Sequence, residues 1–189
     1  MMSIDTDTHL QSIGETLHPW TLSSAQPEGN RLDIVVDRAS LLDAVEALTT
    51  SHWGFPSAIT GLDHPGSNTP VDEKKEWDRL ANDPEPVGAT NASWLEILYH
   101  FCHGAAVLTL RVTIPYNVPS VPTICGLIPS ASLYERELSE MFGIEILGAP
   151  QTEHLLLPDD WPNGVYPMRK EFTGFNQPNQ ETGQGKDHD

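Results

Sequence analysis

Two long runs of strand-forming residues, Trp94 to Cys102 and Ala105 to Ile114, flank His103-Gly104 and carry apolar side chains on both faces. A pair of this kind, joined by a short glycine-containing step, reads as a β-hairpin in the middle of a sheet rather than at its edge. The rest of the chain has to be arranged around it. Upstream, Leu32, Ile34 and Val36 alternate with Arg31, Asp33 and Val35, the period-two pattern of a strand over 31–36. Ser40 is placed to cap a helix with Asp43 at its third helical position, and Leu41, Ala44, Val45 and Leu48 form an apolar stripe that ends before Gly54. Ser57 to Leu62 reads as another strand, closed by the turn-rich run Asp63-His64-Pro65-Gly66. These elements predict an α+β fold: a mixed or antiparallel β-sheet with helices packed on it.

Downstream of the hairpin, Pro115, Pro119, Pro122 and Pro129 forbid regular ladder pairing, so the chain crosses the domain as an irregular connection. Order resumes in a helix. Ser132 and Glu135 have capping-box spacing, Tyr134, Leu138, Met141 and Phe142 share an apolar face, and Gly143 stands where a left-handed C-cap is favoured. Glu137 lies on the flank, and Arg136 and Glu140 are spaced to pair on the outer face. By pattern alone this is a solvated helix over a small core. The stretch that follows is rich in Pro, Gly and aromatics and has no periodicity, so it reads as an extended arm suited to lying on a partner.

The sequence therefore divides into an N-terminal segment (1–30), partly flexible, in which Leu10, Ile13 and Leu17 hint at a short helical face; a domain over 31–148; an arm over 149–174; and a disordered tail over 175–189. Within the domain, residues 67–93 change to Ser, Asn, Pro and charge, an inserted surface loop with a small island from Val71 to Leu80. The length of 189 residues suits one domain plus an arm.

Acidic residues number 27 against 10 basic ones, so the field at neutral pH repels phosphate backbones and anionic lipid head groups. Nucleic acid and direct lipid binding are disfavoured. No run reaches the eighteen or so apolar residues that a spanning helix requires, and Met1 to Thr8 have neither a cationic start nor an apolar signal core. These features predict a soluble cytoplasmic chain. Cys102 and Cys125, in different segments, make neither a disulfide scaffold nor a paired-ligand metal site.

His100, Cys102 and His103 are close in sequence, but on a strand His100 and Cys102 face one side and His103 the other, which favours packing or hairpin-edge roles over zinc. Glu135 with Glu137, and Asp159 with Asp160, diverge rather than converge on a cavity, so they do not make an acid–base pair. There is no nucleophile elbow, phosphate loop, dinucleotide fingerprint or ferredoxin-like cysteine run. No catalytic, cofactor-binding or metal residue is assigned.

Taken in order, the strand ending in Gly61-Leu62-Asp63-His64-Pro65, the hairpin, the Val118-Pro119-Ser120-Val121 crossing, the Tyr134-Glu135-Arg136-Glu137 helix with its Met141-Phe142-Gly143-Ile144 end, Pro158-Asp159-Asp160-Trp161 and Pro167-Met168-Arg169-Lys170 form a specific combination. It resembles the 30 kDa subunit family of complex I-type NADH-quinone oxidoreductases and of related membrane-bound energy-converting [NiFe] hydrogenases. The resemblance covers roughly residues 30–173. It implies a non-catalytic peripheral-arm subunit without a cofactor of its own, with iron–sulfur clusters, and flavin or a nickel–iron centre, in partner subunits. The implied partners are the large subunit (49 kDa-like, or the hydrogenase large subunit) and the iron–sulfur small subunit. The implied place is the cytoplasmic face of the membrane, with membrane contact only through the complex. On this resemblance, Tyr134, Glu135, Arg136, Glu137, Met141, Phe142, Gly143 and Ile144 shape the helix and its partner contacts. Trp161, Pro167, Arg169, Lys170 and Phe172 belong to the arm that wraps the partner; independently of the resemblance, Arg169 beside Lys170 makes an adjacent basic pair suited to anchor a carboxylate on another subunit.

The sequence departs from the family pattern where a basic pair is usual after the helix; here Gly148-Ala149-Pro150-Gln151-Thr152-Glu153-His154 stands instead. The run Asp159 to Tyr166 is closer to the hydrogenase-like members. Two readings of other classes remain: a free-standing acidic binding module, favoured by the missing basic pair, and a small metal enzyme built on His100 and His103.

Overall fold

A computed structural model describes residues 3–66, 93–149 and 154–174. The helix α1 (Ser3–Leu17) leads into β1 (Thr21–Glu28) and β2 (Arg31–Val36), then α2 (Leu41–Thr50), β3 (Phe55–His64), the hairpin β4 (Trp94–His103) and β5 (Ala106–Pro115), β6 (Ser120–Pro122), α3 (Ser132–Phe142) and β7 (Glu145–Leu147). The principal sheet runs β1-β2-β5-β4-β3, with β2 parallel to β5 and the other pairs antiparallel. A separate parallel pair, β6 with β7, holds the crossing segment beside the end of α3. The fold is α+β, with a mixed sheet and helices packed on one face.

The hairpin sits at the centre because it is apolar on the face that meets the helices. Leu95, Ile97, Tyr99 and Phe101 of β4 join Leu108, Leu110, Val112 and Ile114 of β5 in a core completed by Leu10, Ile13 and Leu17 of α1 and Leu41, Ala44, Val45 and Leu48 of α2. Its turn lies one residue later than the sequence implies: His103 pairs with Ala106, and Gly104, at φ +60°, opens the step. The opposite face carries buried charge, with Asp33, Glu96 and Arg111.

Three local expectations change. The N-terminal segment is ordered where described: α1 is fifteen residues long, and β1 forms an edge strand against β2, closed by Gly29-Asn30. Pro27 is tolerated there because an edge strand need not donate on its outer side. Ser40 and Ser132 are not side-chain caps, since 3-10 turns precede both helices and place both serines in helical backbone. Asp37 instead accepts from the Ala39 N–H at 2.7 Å. The left-handed C-cap is present at Gly143, φ +67°. The island from Val71 to Leu80 and the tail over 175–189 lie outside the described residues.

Helix α3 reaches the sheet because β3 offers it a glycine. A Cβ on Gly61 would lie 2.5 Å from the Phe142 ring and 3.0 Å from Leu138, so only a bare backbone lets this helix approach. Tyr134 secures the other end, donating its hydroxyl to the Ser57 carbonyl at 3.2 Å. The Arg38 guanidinium donates to the carbonyls of Val118 and Ser120, at 3.3 and 3.1 Å, and ties the proline-rich crossing to the end of β2.

Candidate functional site

The residues singled out by sequence gather around α3 and the segment after β7. Glu135, 2% exposed, does not reach back to Ser132. Its carboxylate accepts from the Ile124 N–H at 2.7 Å, the Thr123 hydroxyl at 2.6 Å and the Cys125 thiol at 3.0 Å. Burial pushes the Cys125 thiol up, the Thr123 hydroxyl opposes it in part, and the hydrogen bond to Glu135 and its charge add to the rise, so at neutral pH the thiol stays protonated and donates. Burial, then the charge of Glu135, also pushes the Tyr99 phenol up. Glu135 is thus the polar hub that fixes the crossing segment to α3.

One turn on, Glu140 faces outward, but its carboxylate accepts the backbone N–H groups of Leu155, Leu156 and Leu157, the last two at 2.9 and 3.0 Å. Burial pushes this carboxyl up, but the three amides outweigh it and hold the group below its ordinary value. Glu140, which sequence spacing places one turn from Arg136, thereby turns the chain into the following segment.

That segment is seated on its own domain. Met168 N–H donates to the Met141 carbonyl at 3.1 Å, Arg169 Nε to the Phe142 carbonyl at 2.8 Å, and Lys170 N–H to Asp63 Oδ2 at 2.6 Å. Asp63 Oδ1 accepts from the Tyr116 hydroxyl at 2.5 Å. Burial first, and this bond second, pushes the Tyr116 phenol up. The Arg169 guanidinium lies between the rings of Tyr116 and Tyr166, 4.8 and 4.5 Å from their centroids, with its side chain only 11% exposed. A cation at the last carbonyls of a helix also meets the negative end of the helix dipole. Gly143 completes the latch: a Cβ there would overlap the Tyr166 ring, and its positive φ excludes most side chains independently.

Of the residues assigned to a partner interface, Glu135, Phe142 and Ile144 are buried within this chain, and Gly143 and Arg169 serve the latch. Glu137 and Lys170 are exposed; Tyr134, Arg136, Met141, Trp161, Pro167 and Phe172 are half-buried. Trp161 donates to the Val165 carbonyl at 2.8 Å and meets the Phe172 ring at 6.2 Å, closing the outer loop on itself. Sequence reasoning passed over Asp63, Tyr116 and Thr123. Asp63 read as a turn former and Tyr116 as part of a proline-broken connection, and nothing local marks either as a partner of residues 53 to 107 positions away.

Between α3, β7 and residues 154–166 lies an open cleft of about 940 Å³, lined by Arg136, Glu145, Ile146, Leu147, Trp161 and Tyr166 among others. On the far side of the sheet, the Arg111 guanidinium meets Glu96 in a two-pronged contact, 2.6 and 3.1 Å, and approaches Asp33 at 3.7 Å. Arg31 pairs with Asp33 at 3.0 Å, and His64, stacked on Trp94 at 3.6 Å, bonds Glu96 at 3.1 Å. Burial pushes the Glu96 carboxyl up, but hydrogen bonds from His64 and Arg111 and their charges outweigh it and hold it low. These groups are engaged with one another in a structural network. His100 bonds Thr109 at 3.1 Å, while His103 stacks with His9 at 4.2 Å, so the two histidines point into different surroundings. Among the described residues no group of three or more His, Cys, Asp or Glu could hold a metal ion. Among them, too, no helix is long and apolar enough to cross a membrane.

The sequence pattern of the family described as "Respiratory-chain NADH dehydrogenase, 30 Kd subunit" matches residues 34–178. The C subunit of the NADH-quinone oxidoreductase of Roseiflexus sp. (strain RS-1) is 27% identical over 175 residues, 90% of this chain and 85% of that protein. The membrane-bound hydrogenase subunit beta of Pyrococcus furiosus is 39% identical over 67 residues, 35% of this chain and 39% of that protein. Formate hydrogenlyase subunit 5 of Escherichia coli (strain K12) is 39% identical over 70 residues, 37% of this chain and 12% of that protein. In three dimensions the fold is similar to a chain in a structure of the membrane-bound sulfane sulfur reductase, an archaeal respiratory membrane complex, with TM-score 0.62 and 20% identity, covering 86% of this chain and 84% of that one. It is also similar to the trypsin-resistant fragment of Nqo5, with TM-score 0.54 and 20% identity, covering 76% of this chain and 99% of the fragment. The family pattern spans β3, β4 and β5 of the sheet, the α3 hub and the latch together, and the chain belongs to the 30 kDa subunit family of the respiratory-chain NADH dehydrogenase.

Proposed function

We propose that this chain is a supporting subunit in the peripheral arm of a complex I-type membrane-bound oxidoreductase, with no reaction centre of its own. Its partners on this reading are a large subunit of the 49 kDa or hydrogenase kind and a small iron–sulfur subunit. Iron–sulfur clusters, with flavin or a nickel–iron centre, belong to those partners, and the chain meets the cytoplasmic face of the membrane only through them. The carrying observation is the family match over residues 34–178, which takes in every element that builds the α3 hub and the latch. The chemistry agrees: Glu135 and Asp63, the buried acids of that region, are each bonded to two or more donors that fix chain segments in place.

Native purification through a tagged full-length chain, with mass spectrometry of what accompanies it, tests the reading. Recovery of a large and an iron–sulfur subunit in equal amounts is the expected result, and a chain that emerges alone would overturn it. The likeness to the Pyrococcus hydrogenase subunit supports a second reading, the equivalent subunit of an energy-converting [NiFe] hydrogenase. A large subunit bearing two nickel-binding cysteine pairs selects that reading; a large subunit without them, accompanied by NADH-oxidising modules, selects the first.

A further inference from the structure

We propose that the cleft between α3, β7 and residues 154–166 receives a segment of the partner subunit in which a bulky apolar side chain is flanked by Lys or Arg. This rests on the reading above and specifies the chemistry of the contact. The interior of the cleft is apolar in part, with Ile146, Leu147, Leu157, Trp161, Val165 and Tyr166 in its lining, and Leu147 stands 47% exposed at the surface. The walls differ in charge from the interior. Glu145 lines the cleft and is exposed, and Asp159 and Asp160 are exposed immediately before Trp161. The lining also holds Arg136, half-buried, and His154, together with Glu135 and Glu140, whose carboxylates are occupied by internal donors. Exposed acid at the rim therefore outweighs exposed base, on a chain of net charge -17.

An apolar hollow with an acidic rim discriminates. An apolar residue fills the hollow, and cations beside it meet Glu145 on one side and Asp159 or Asp160 on the other, steering the approach and excluding acidic segments. The wall made by residues 161–166 is stationary enough for this because Gly143 and the Arg169 latch hold Tyr166 against the end of α3. A second copy of this chain is the poorer occupant, since two surfaces of the same strong negative charge repel.

The test uses the complex recovered through the tagged full-length chain. Reversing the rim with Glu145→Lys, Asp159→Lys and Asp160→Lys together is expected to lower recovery of the partner, after a wash at about 0.3 M salt, by about fivefold or more. A charge-matched control, Glu15→Lys, Asp43→Lys and Glu46→Lys on exposed positions of α1 and α2, is expected to leave recovery unchanged. Zero-length carbodiimide coupling of the unaltered complex is expected to join partner lysines to Glu145, Asp159 or Asp160. Equal losses in both variants, no loss in the rim variant, or coupling confined to other acids or to a second copy of this chain would overturn the proposal while leaving the supporting-subunit reading intact. If the unaltered chain brings no partner with it, the reading and the proposal fall together.

Discussion

The β4–β5 hairpin and the segment from His154 to Gly174 face the same requirement, satisfying their backbone while packed against the domain, and meet it in opposite ways. The hairpin is paired residue for residue from Trp94–Pro115 to His103–Ala106, and β2 and β3 continue the ladder on either side. The later segment has turns instead of a ladder, and a handful of point contacts hold it: Glu140 to Leu155–Leu157, Asp63 to Lys170, Arg169 to Phe142, and Arg169 between two tyrosines. Redundant pairing spreads the consequence of any one loss over the whole sheet, whereas point contacts concentrate it. Substitutions in the two regions should therefore differ in kind: those in the sheet should lower global stability, and those in the latch should release one segment.

The largest effect is expected at Arg111. Its guanidinium is 7% exposed and bound to Glu96, so Arg111→Ala leaves a buried carboxylate without its main counter-charge. Breaking one side of such a pair costs about 3–5 kcal/mol. Urea denaturation followed by circular dichroism should show that loss in one cooperative transition. A loss below about 1 kcal/mol would mean that the ion network adds little to the sheet.

Next is Gly143→Ala, which adds backbone strain of about 1–3 kcal/mol at positive φ and displaces the Tyr166 ring. Limited proteolysis of the full chain should cut within residues 154–174 sooner than in the unaltered protein, while the sheet retains its hydrogen-exchange protection. Loss of protection in β4 and β5 at the same rate would erase the distinction between the two regions.

Acid titration gives a smaller, graded effect. The folded value of Glu96 lies below its ordinary value, so its contribution is fully present above the ordinary carboxylate range and is lost as pH falls through the depressed value. Stability should decline over that acidic window, and Glu96→Gln should flatten the decline. A slope unchanged by Glu96→Gln would place the acid sensitivity elsewhere.

The contrast also explains what the sequence disclosed. The central hairpin announces itself through two long strand-forming runs, although only one of its faces is apolar and the other carries Glu96 and Arg111, and the α2 stripe Leu41, Ala44, Val45 and Leu48 announces itself through its 3.6-residue period; all four stripe residues are buried. Strand β1 has no such pattern because Thr21, Ser23 and Ala25 are only half-buried at an edge, where Ser, Gln and Pro are acceptable. Glu135 was legible as a residue of consequence through its spacing from Ser132, but its partners were not, because a 3-10 turn at Pro129–Ala131 had already brought Ser132 into helical backbone. The segment after β7 looked unable to order itself, as periodic apolar residues are scarce. Its order comes from Asp63, Tyr116 and the last carbonyls of α3, contacts distant in sequence that leave no local period. For the same reason Arg169, which sequence proximity to Lys170 marked as an anchor for another subunit, spends its side chain inside this chain.

The smallest predicted effect bears directly on that last point. Arg169→Lys keeps a positive charge near the C-terminal carbonyls of α3 but loses the planar group that lies between Tyr116 and Tyr166 and the Nε donor to Phe142. A cation–π contact is worth about 0.5–2 kcal/mol, more as it is desolvated, and a net hydrogen bond about 0.5–1.5 kcal/mol; lysine keeps part of the first, so the latch should open at least several times more often without unfolding the sheet. Faster amide exchange at Met168 and Lys170, with β4 and β5 unchanged, is the signature to measure in the chain purified without partners. Arg169 used purely as an anchor for another subunit would predict no change in that exchange, only weaker assembly. An intrachain latch predicts the exchange first, with any weakening of assembly following from it, because a released segment no longer presents the wall formed by Trp161 and Tyr166. The conservative variant separates the two roles because it alters the shape of the contact while leaving its charge in place.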